Sequence, residues 1–144
     1  MRRVWWFLVS RRGDLVWNTI ILVAVFLPLA GLAIDVPRYF ALRSRLQLAC
    51  DAAAQAAAQA VDIGHFMDTG QVRLRSDACG QAGWAFAAAT ENLHAAVALD
   101  SCQVDEAGDG VLVQGSGVLQ PFYNLGPAVR VRATAASRYR MVQR

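Results

Sequence analysis

From Leu15 to Ile34 the chain runs 20 residues without a charged side chain. At about 1.5 Å rise per residue, a helix of this length matches the ~30 Å hydrocarbon core of a bilayer. We read residues 15–34 as a single transmembrane helix, because a helix apolar on every side has no place on the surface of a water-soluble domain. Trp5, Trp6 and Trp17 lie toward its amino-terminal end, where indole rings favour the membrane interface, and Asp14 and Asp35 bracket it. Pro28 removes one backbone hydrogen bond, which a helix packed among other helices tolerates best. The rival reading is a cleavable secretory signal, with Gly31 and Ala33 as the small residues before a cut. The run is longer than the usual ~7 to 15 residue apolar region, and helical character continues past the cut.

Composition agrees with a membrane protein. Of 144 residues, 56% are hydrophobic and 17% charged, against the roughly 45–50% apolar share of soluble domains. The length leaves room for one domain with a modest core and excludes a multidomain enzyme. All 14 cations are arginine, and with 11 acids the net charge is +3, too mild a surplus to require nucleic acid. Arg2, Arg3, Arg11 and Arg12 precede the span, while Arg38, Arg43 and Arg45 follow it. With the terminal amine added, the positive-inside rule makes residues 1–14 a cytoplasmic basic leader and places everything after the span outside the cytoplasm.

Pro37 suits the first turn of a new helical segment. After it, residues 35–62 read as an alanine-rich amphipathic helix. Gln47, Asp51, Gln55, Gln59 and Asp62 form a polar stripe, and Leu42, Leu46, Ala49, Ala53, Ala56 and Ala60 an apolar one. The apolar stripe is thin, and its small side chains let a partner backbone come close. It fits two uses equally: packing in an assembly, together with Pro28 and Gly31 of the span, or covering a sheet of its own domain. Joined to the span, Leu15 to Asp62 makes a rod of roughly 70 Å, bent near Pro28 or Pro37.

Residues 63–144 read as a small α+β domain. Ile63 to Gly80 reads as a loop. A helix from Gln81 to Leu93 follows, its spacing carried by Trp84, Phe86, Ala89 and Leu93, and it ends near His94. Strands over Val97 to Val104 and Val111 to Leu119 flank a hairpin turn at DEAGDG, and a third begins at Ala128 after NLGP. In that third strand Val129, Val131, Ala133 and Ala135 alternate with Arg130, Arg132, Thr134 and Ala136, giving one apolar and one wet face of a small antiparallel sheet.

Reactive groups are sparse: His65 and His94 are the two histidines, there are two glutamates, and no cluster has ligand spacing. No catalytic residue, metal site or cofactor is expected. QGSGV around Ser116 lacks the pattern of a nucleophile elbow and marks a bulge or twist in a strand. Asp105, Asp109 and Gly110 faintly echo a calcium loop, but Ala107 and Ser116 stand where ligands are needed. His94, Cys79 and Cys102 lack a fourth metal ligand. Cys79 and Cys102 are the candidate disulfide if their region meets an oxidising compartment, and reduced, buried thiols fit the residues as well. Arg130, Arg132, Arg138 and Arg140 make a basic strand and tail. A solvated sheet face explains them more simply than nucleic acid, and they also suit acidic groups on a partner.

The order RRG, apolar span, Asp35 with Arg38 and Tyr39, then LQLACDAAAQAAAQA, resembles the amino-terminal region of TadE/TadG-like proteins of tight-adherence (Flp) pilus systems. AFAAATEN, the hairpin region and FYNLGPAVRVRATAAS extend the resemblance over most of the chain. It implies a non-enzymatic minor pilin or pseudopilin of the bacterial inner membrane, whose partners are other pilins, the assembly machinery and the lipid bilayer, and which helps prime or cap a fibre. It also implies cleavage by a prepilin peptidase between Gly13 and Asp14, with Asn18 standing where major pilins place a glutamate. Longer relatives carry a metal-binding von Willebrand type A domain, for which this chain is too short, so no metal site is carried over. The alternative reading from the residues is a membrane-tethered extracytoplasmic binding module unrelated to pili.

Overall fold

The computed structural model describes residues 11–93, 95–121 and 127–139, with backbone alone for 11–14. Helix α1 is unbroken over Arg11–Gln59, 49 residues including Pro28 and Pro37. Pro37 therefore lies inside a helix and does not open a new one. A proline removes one intrahelical bond, and here no glycine or capping side chain adds a second reason to stop.

The helix ends at Gln59, short of Asp62, because Asp62 serves the next element. It takes extended dihedrals, and its carboxylate accepts from the His65 backbone N–H at 3.0 Å, capping helix α2 over Ile63–Thr69. Gly70, at φ 70°, closes α2 in the left-handed conformation and donates to the Phe66 carbonyl. The expected loop from Ile63 to Gly80 thus contains a capped seven-residue helix, too short to declare itself by periodicity.

Helix α3, Ala78–Thr90, starts before Gln81 and ends before Leu93. Its buried residues are Ala78, Ala82, Phe86 and Thr90, a strict four-residue row, while Trp84 is 78% exposed. The expected contact through Trp84 and Ala89 is corrected: Ala78, Ala82 and Thr90 face inward together with Phe86, and the indole is turned out. Before α3, Val61 and Leu74 form a lone antiparallel bridge, flanked by Asp62 N–H to Arg73 and Arg75 N–H to Ala60 bonds of 2.8 Å. Leu74 N–H also donates to the Gly108 carbonyl, tying this ribbon to the sheet.

The sheet is antiparallel, in the order β1 (Ala96–Val104), β2 (Gly110–Leu119), β3 (Val129–Arg138). Gly108, at φ 73°, lets the chain turn between β1 and β2. Asn124 to Gly126 of the expected NLGP turn lie outside the described residues.

One face of the sheet is covered by α1 and α3. Leu42, Leu46, Ala49, Cys50 and Ala53 of α1 join Phe86, Val113, Val131 and Ala133 in a single core. Leu46 and Val113 are fully buried, each contributing about 1.5–3 kcal/mol in burial free energy. The glycines of β2 make this approach possible. A Cβ on Gly115 would stand 3.0 Å from both Cys50 Sγ and Phe86 Cε2, and one on Gly117 3.2 Å from Val97 Cγ1. The expected bulge at QGSGV is displaced: the register shift falls in β1 between Leu99 and Ser101, across from Gly115, and Ser116 Oγ there donates to Asp100 at 2.8 Å. A disulfide joins Cys79, in the first turn of α3, to Cys102 of β1. Closing a 23-residue separation, it stabilises the domain by about 3 kcal/mol in the chain-entropy account.

Candidate assembly surface

Every residue of α1 from position 15 to 34 is exposed except Gly31. Leu15 is 71%, Phe26 61% and Leu32 62% exposed. Among the described residues the chain's own fold leaves this apolar cylinder almost wholly uncovered, and α1 is the one helix there long and apolar enough to cross a membrane. Thr19 donates to the Leu15 carbonyl at 2.8 Å, as hydroxyls in apolar helices do.

The cylinder is not smooth. Ala24, Leu27, Pro28, Gly31 and Asp35 line one depression, which also touches Val23, Leu32 and Pro121. These positions repeat at three and four residues, so they stack on one side of the helix. Small side chains at 24 and 31 and the missing N–H at Pro28 give the concavity in which helices approach closely. Pro28 and Gly31 of the expected packing set line this depression. The rest of that set lies elsewhere. Leu42, Leu46, Ala49 and Ala53 are buried under the chain's own sheet and α3, and Ala56 and Ala60 are half-buried beside them. Of the two uses open to the alanine-rich stripe, the fold takes the intramolecular one.

Just past the span, Asp35 and Arg38 pair at 3.4 Å on successive turns. Tyr39 and Phe40 meet edge to face, ring centroids 5.8 Å apart. Tyr39 turns toward the core, whereas Phe40 stays 61% exposed. A groove of about 300 Å³ opens here between the helix, at Asp35, Val36, Tyr39 and Phe40, and the sheet, at Leu119, Pro121 and Val129. Sequence reasoning did not find this groove, since it joins positions some 90 apart in the chain; the apolar Val129 ahead of two arginines was its one local trace.

The arginines do not form one surface. Arg130 and Arg132 are exposed at the end of β3 that begins at the groove. Arg138 pairs with Val111's neighbour Gly110 at the opposite end, eight residues or roughly 27 Å from Arg130. There its guanidinium binds Asp105 at 2.8 Å and Asp109 at 3.4 Å. Those acids belong to the hairpin, where Asp105 also accepts from the Glu106 N–H. Arg140 and His94 lie outside the described residues. Gly13 and Asp14 lie within α1.

Among the described residues no group of three His, Cys, Asp or Glu side chains converges. Cys50 is wholly buried, its Sγ 3.8 Å from the Ala133 carbonyl. Burial, with the Asp51 carboxylate adding to it, pushes the thiol's pKa up, which keeps it protonated and unreactive. At the surface, the hydrogen bonds from Arg75 hold the Asp77 carboxyl below its ordinary range.

These features define a membrane-anchored α+β protein, in which one exposed apolar helix runs without a break into a helix-backed antiparallel sheet. Residues 19–60 match the Tad family model of Flp pilus-assembly TadE/G-like proteins, so the chain carries a TadE/G-like segment and with it a pilus-related role. That segment covers most of α1: the exposed apolar surface, the Asp35–Arg38 turn and the alanine row. No curated protein and no solved structure matches the chain.

Proposed function

We propose that the protein is a non-enzymatic minor pilin-like subunit of a tight-adherence pilus system. Residues 15–34 cross the inner membrane, residues 1–14 face the cytoplasm, and the sheet domain stands on the periplasmic side. The Cys79–Cys102 disulfide suits that compartment. The observation that carries the reading is the join of an exposed apolar helix, with its concave face at Ala24, Pro28 and Gly31, to a TadE/G-like segment. In this reading the concave face docks on the apolar helices of other pilins or pseudopilins, and the assembly machinery engages the subunit through the membrane. Prepilin peptidase cleavage after Gly13 would free Asp14 as the new amino terminus.

Two measurements test this. The intact mass of the protein recovered from membranes, with and without reduction, reports loss of the first 13 residues and a 2 Da gain for the disulfide. Ala24→Trp and Ala30→Trp, both on exposed positions of the span, are then scored for piliation and membrane retention. The expected outcome is normal retention with lost piliation for Ala24→Trp, which fills the depression, and a smaller effect for Ala30→Trp. Undiminished piliation with both variants, and in a strain lacking the protein, would refute the pilus role.

A further inference from the structure

We infer that the end of the sheet domain nearest the span is a lipid-binding seat, built to rest on the anionic phospholipid headgroups of the bilayer that α1 crosses. The inference rests on the reading of residues 15–34 as a span and goes beyond the pilus assignment. Three observations meet at this end. First, apolar side chains remain exposed past the span: Val36 at 42%, Phe40 at 61% and, from the far strand β3, Val129 at 44%. Phe40 and Val129 border the same groove. At 1.5 Å per residue Val36 stands about 3 Å and Phe40 about 9 Å beyond Ile34, so the two span the headgroup layer, roughly 5–8 Å deep on each side of the hydrocarbon, with Phe40 at its outer edge. An aromatic ring at that height is an interfacial anchor.

Second, the arginines around these residues are unspent. Arg43, Arg130 and Arg132 are exposed, and among the described residues none of them has a hydrogen bond or ion pair. Nearer the span Arg38 is paired with Asp35, and at the distal end Arg75 is bound to Asp77 and Arg138 to Asp105 and Asp109. Apart from the Arg38–Asp35 pair, the domain thus presents Arg43, Arg130 and Arg132 on this side without acidic partners among the described residues, while Arg75 and Arg138 are paired at its distal end. Third, the seat is continuous with the span, since Pro121 and Asp35 border both the groove and the depression on the membrane helix. Arginine heads reaching phosphates above aromatic and aliphatic bodies is the chemistry of an interfacial lipid contact. A neighbouring copy's helix would need no such excess of cations.

The test uses the full chain in nanodiscs of phosphatidylcholine with or without phosphatidylglycerol. An environment-sensitive fluorophore is placed at Val129→Cys, at Leu112→Cys on the distal sheet or at Ile21→Cys within the span, and quenched with headgroup-labelled or chain-labelled lipids. We expect the 129 label to be quenched by headgroup-labelled lipid, more strongly in anionic discs and less at high salt, with the 112 label unquenched. Arg130→Gln and Arg132→Gln should each lower the preference for anionic lipid about fivefold, from about 1 kcal/mol per basic residue at the surface. An unquenched 129 label beside a quenched 21 label would overturn the seat while leaving the span intact. Unquenched labels at both would overturn the span reading itself. Quenching at 129 that is insensitive to phosphatidylglycerol, salt and both arginine variants, or that vanishes as protein copies per disc rise, would also overturn the proposal.

Discussion

The two halves of α1 have the same backbone and opposite surroundings. From Leu15 to Ile34 leucine, isoleucine, valine and phenylalanine point outward on every side. From Leu42 to Gln59 the large apolar residues are few, Leu46 and a row of alanines are buried, and Arg43, Arg45, Gln55 and Gln59 face out. Each large apolar side chain left in water would forgo about 1.5–3 kcal/mol, so the first half requires lipid or other apolar helices around it. The second half works by shape. Alanine offers little area but lets a helix lie close on a sheet whose β2 glycines have cleared the space. One helix can thus carry two kinds of apolar surface, and the size of the side chains tells which is meant for a membrane and which for a core.

Truncation should separate the halves most sharply. Leu46→Ala, at a site with no exposure, should cost the domain about 3 kcal/mol. Leu22→Ala, at 56% exposure in the span, should leave domain stability within about 0.5 kcal/mol. Denaturant unfolding in micelles, followed by near-ultraviolet circular dichroism, measures both, and equal losses would erase the distinction. Overfilling gives a smaller contrast. Ala53→Leu and Gly115→Ala should each destabilise by about 1–3 kcal/mol, because position 53 is fully buried and a Cβ at 115 meets two side chains at 3.0 Å; Ala24→Leu in the span should not change domain unfolding. The smallest effect concerns Cys50. Its folded-state pKa is raised by burial, so the protonated thiol's contribution is complete at neutral pH. That contribution is lost as pH climbs from the ordinary thiol range through the raised folded value. Wild type should therefore lose stability in alkali faster than Cys50→Ala, and Ellman's reagent should react with Cys50 only after unfolding.

Much of this architecture was legible in the residues. The uncharged run, the DEAGDG turn and the alternation of Val131, Ala133 and Ala135 with Arg130, Arg132 and Thr134 each reflect local rules of burial and periodicity, and the structure follows them. The misreadings share a cause. Pro37 lies within a helix that it is expected to open, and Asp62 caps a helix outside the one it is expected to extend, because breaking and capping residues act in competition with their neighbours. The capped helix at Ile63–Thr69 is too short for a period to show. At the candidate site, Pro28 and Gly31 were identifiable as small or kinking residues in an apolar helix. The groove between Phe40 and Val129, and the parting of Arg130 from Arg138, were not.

What the sequence determined by itself is therefore where the chain meets a membrane and which residues pair locally into helices, hairpin and strand faces, because these depend on length, charge and spacing along one segment. The tertiary structure decided which apolar faces are consumed. It laid Cys50 and Leu42 of α1 over Gly115 and Gly117, joined Cys79 to Cys102, and set Val129 beside Phe40 while leaving residues 15–34 almost wholly uncovered among the described residues. Those outcomes follow from contacts between segments distant in the chain, where the close fit of backbones and side chains, rather than hydrophobicity alone, selects the partner.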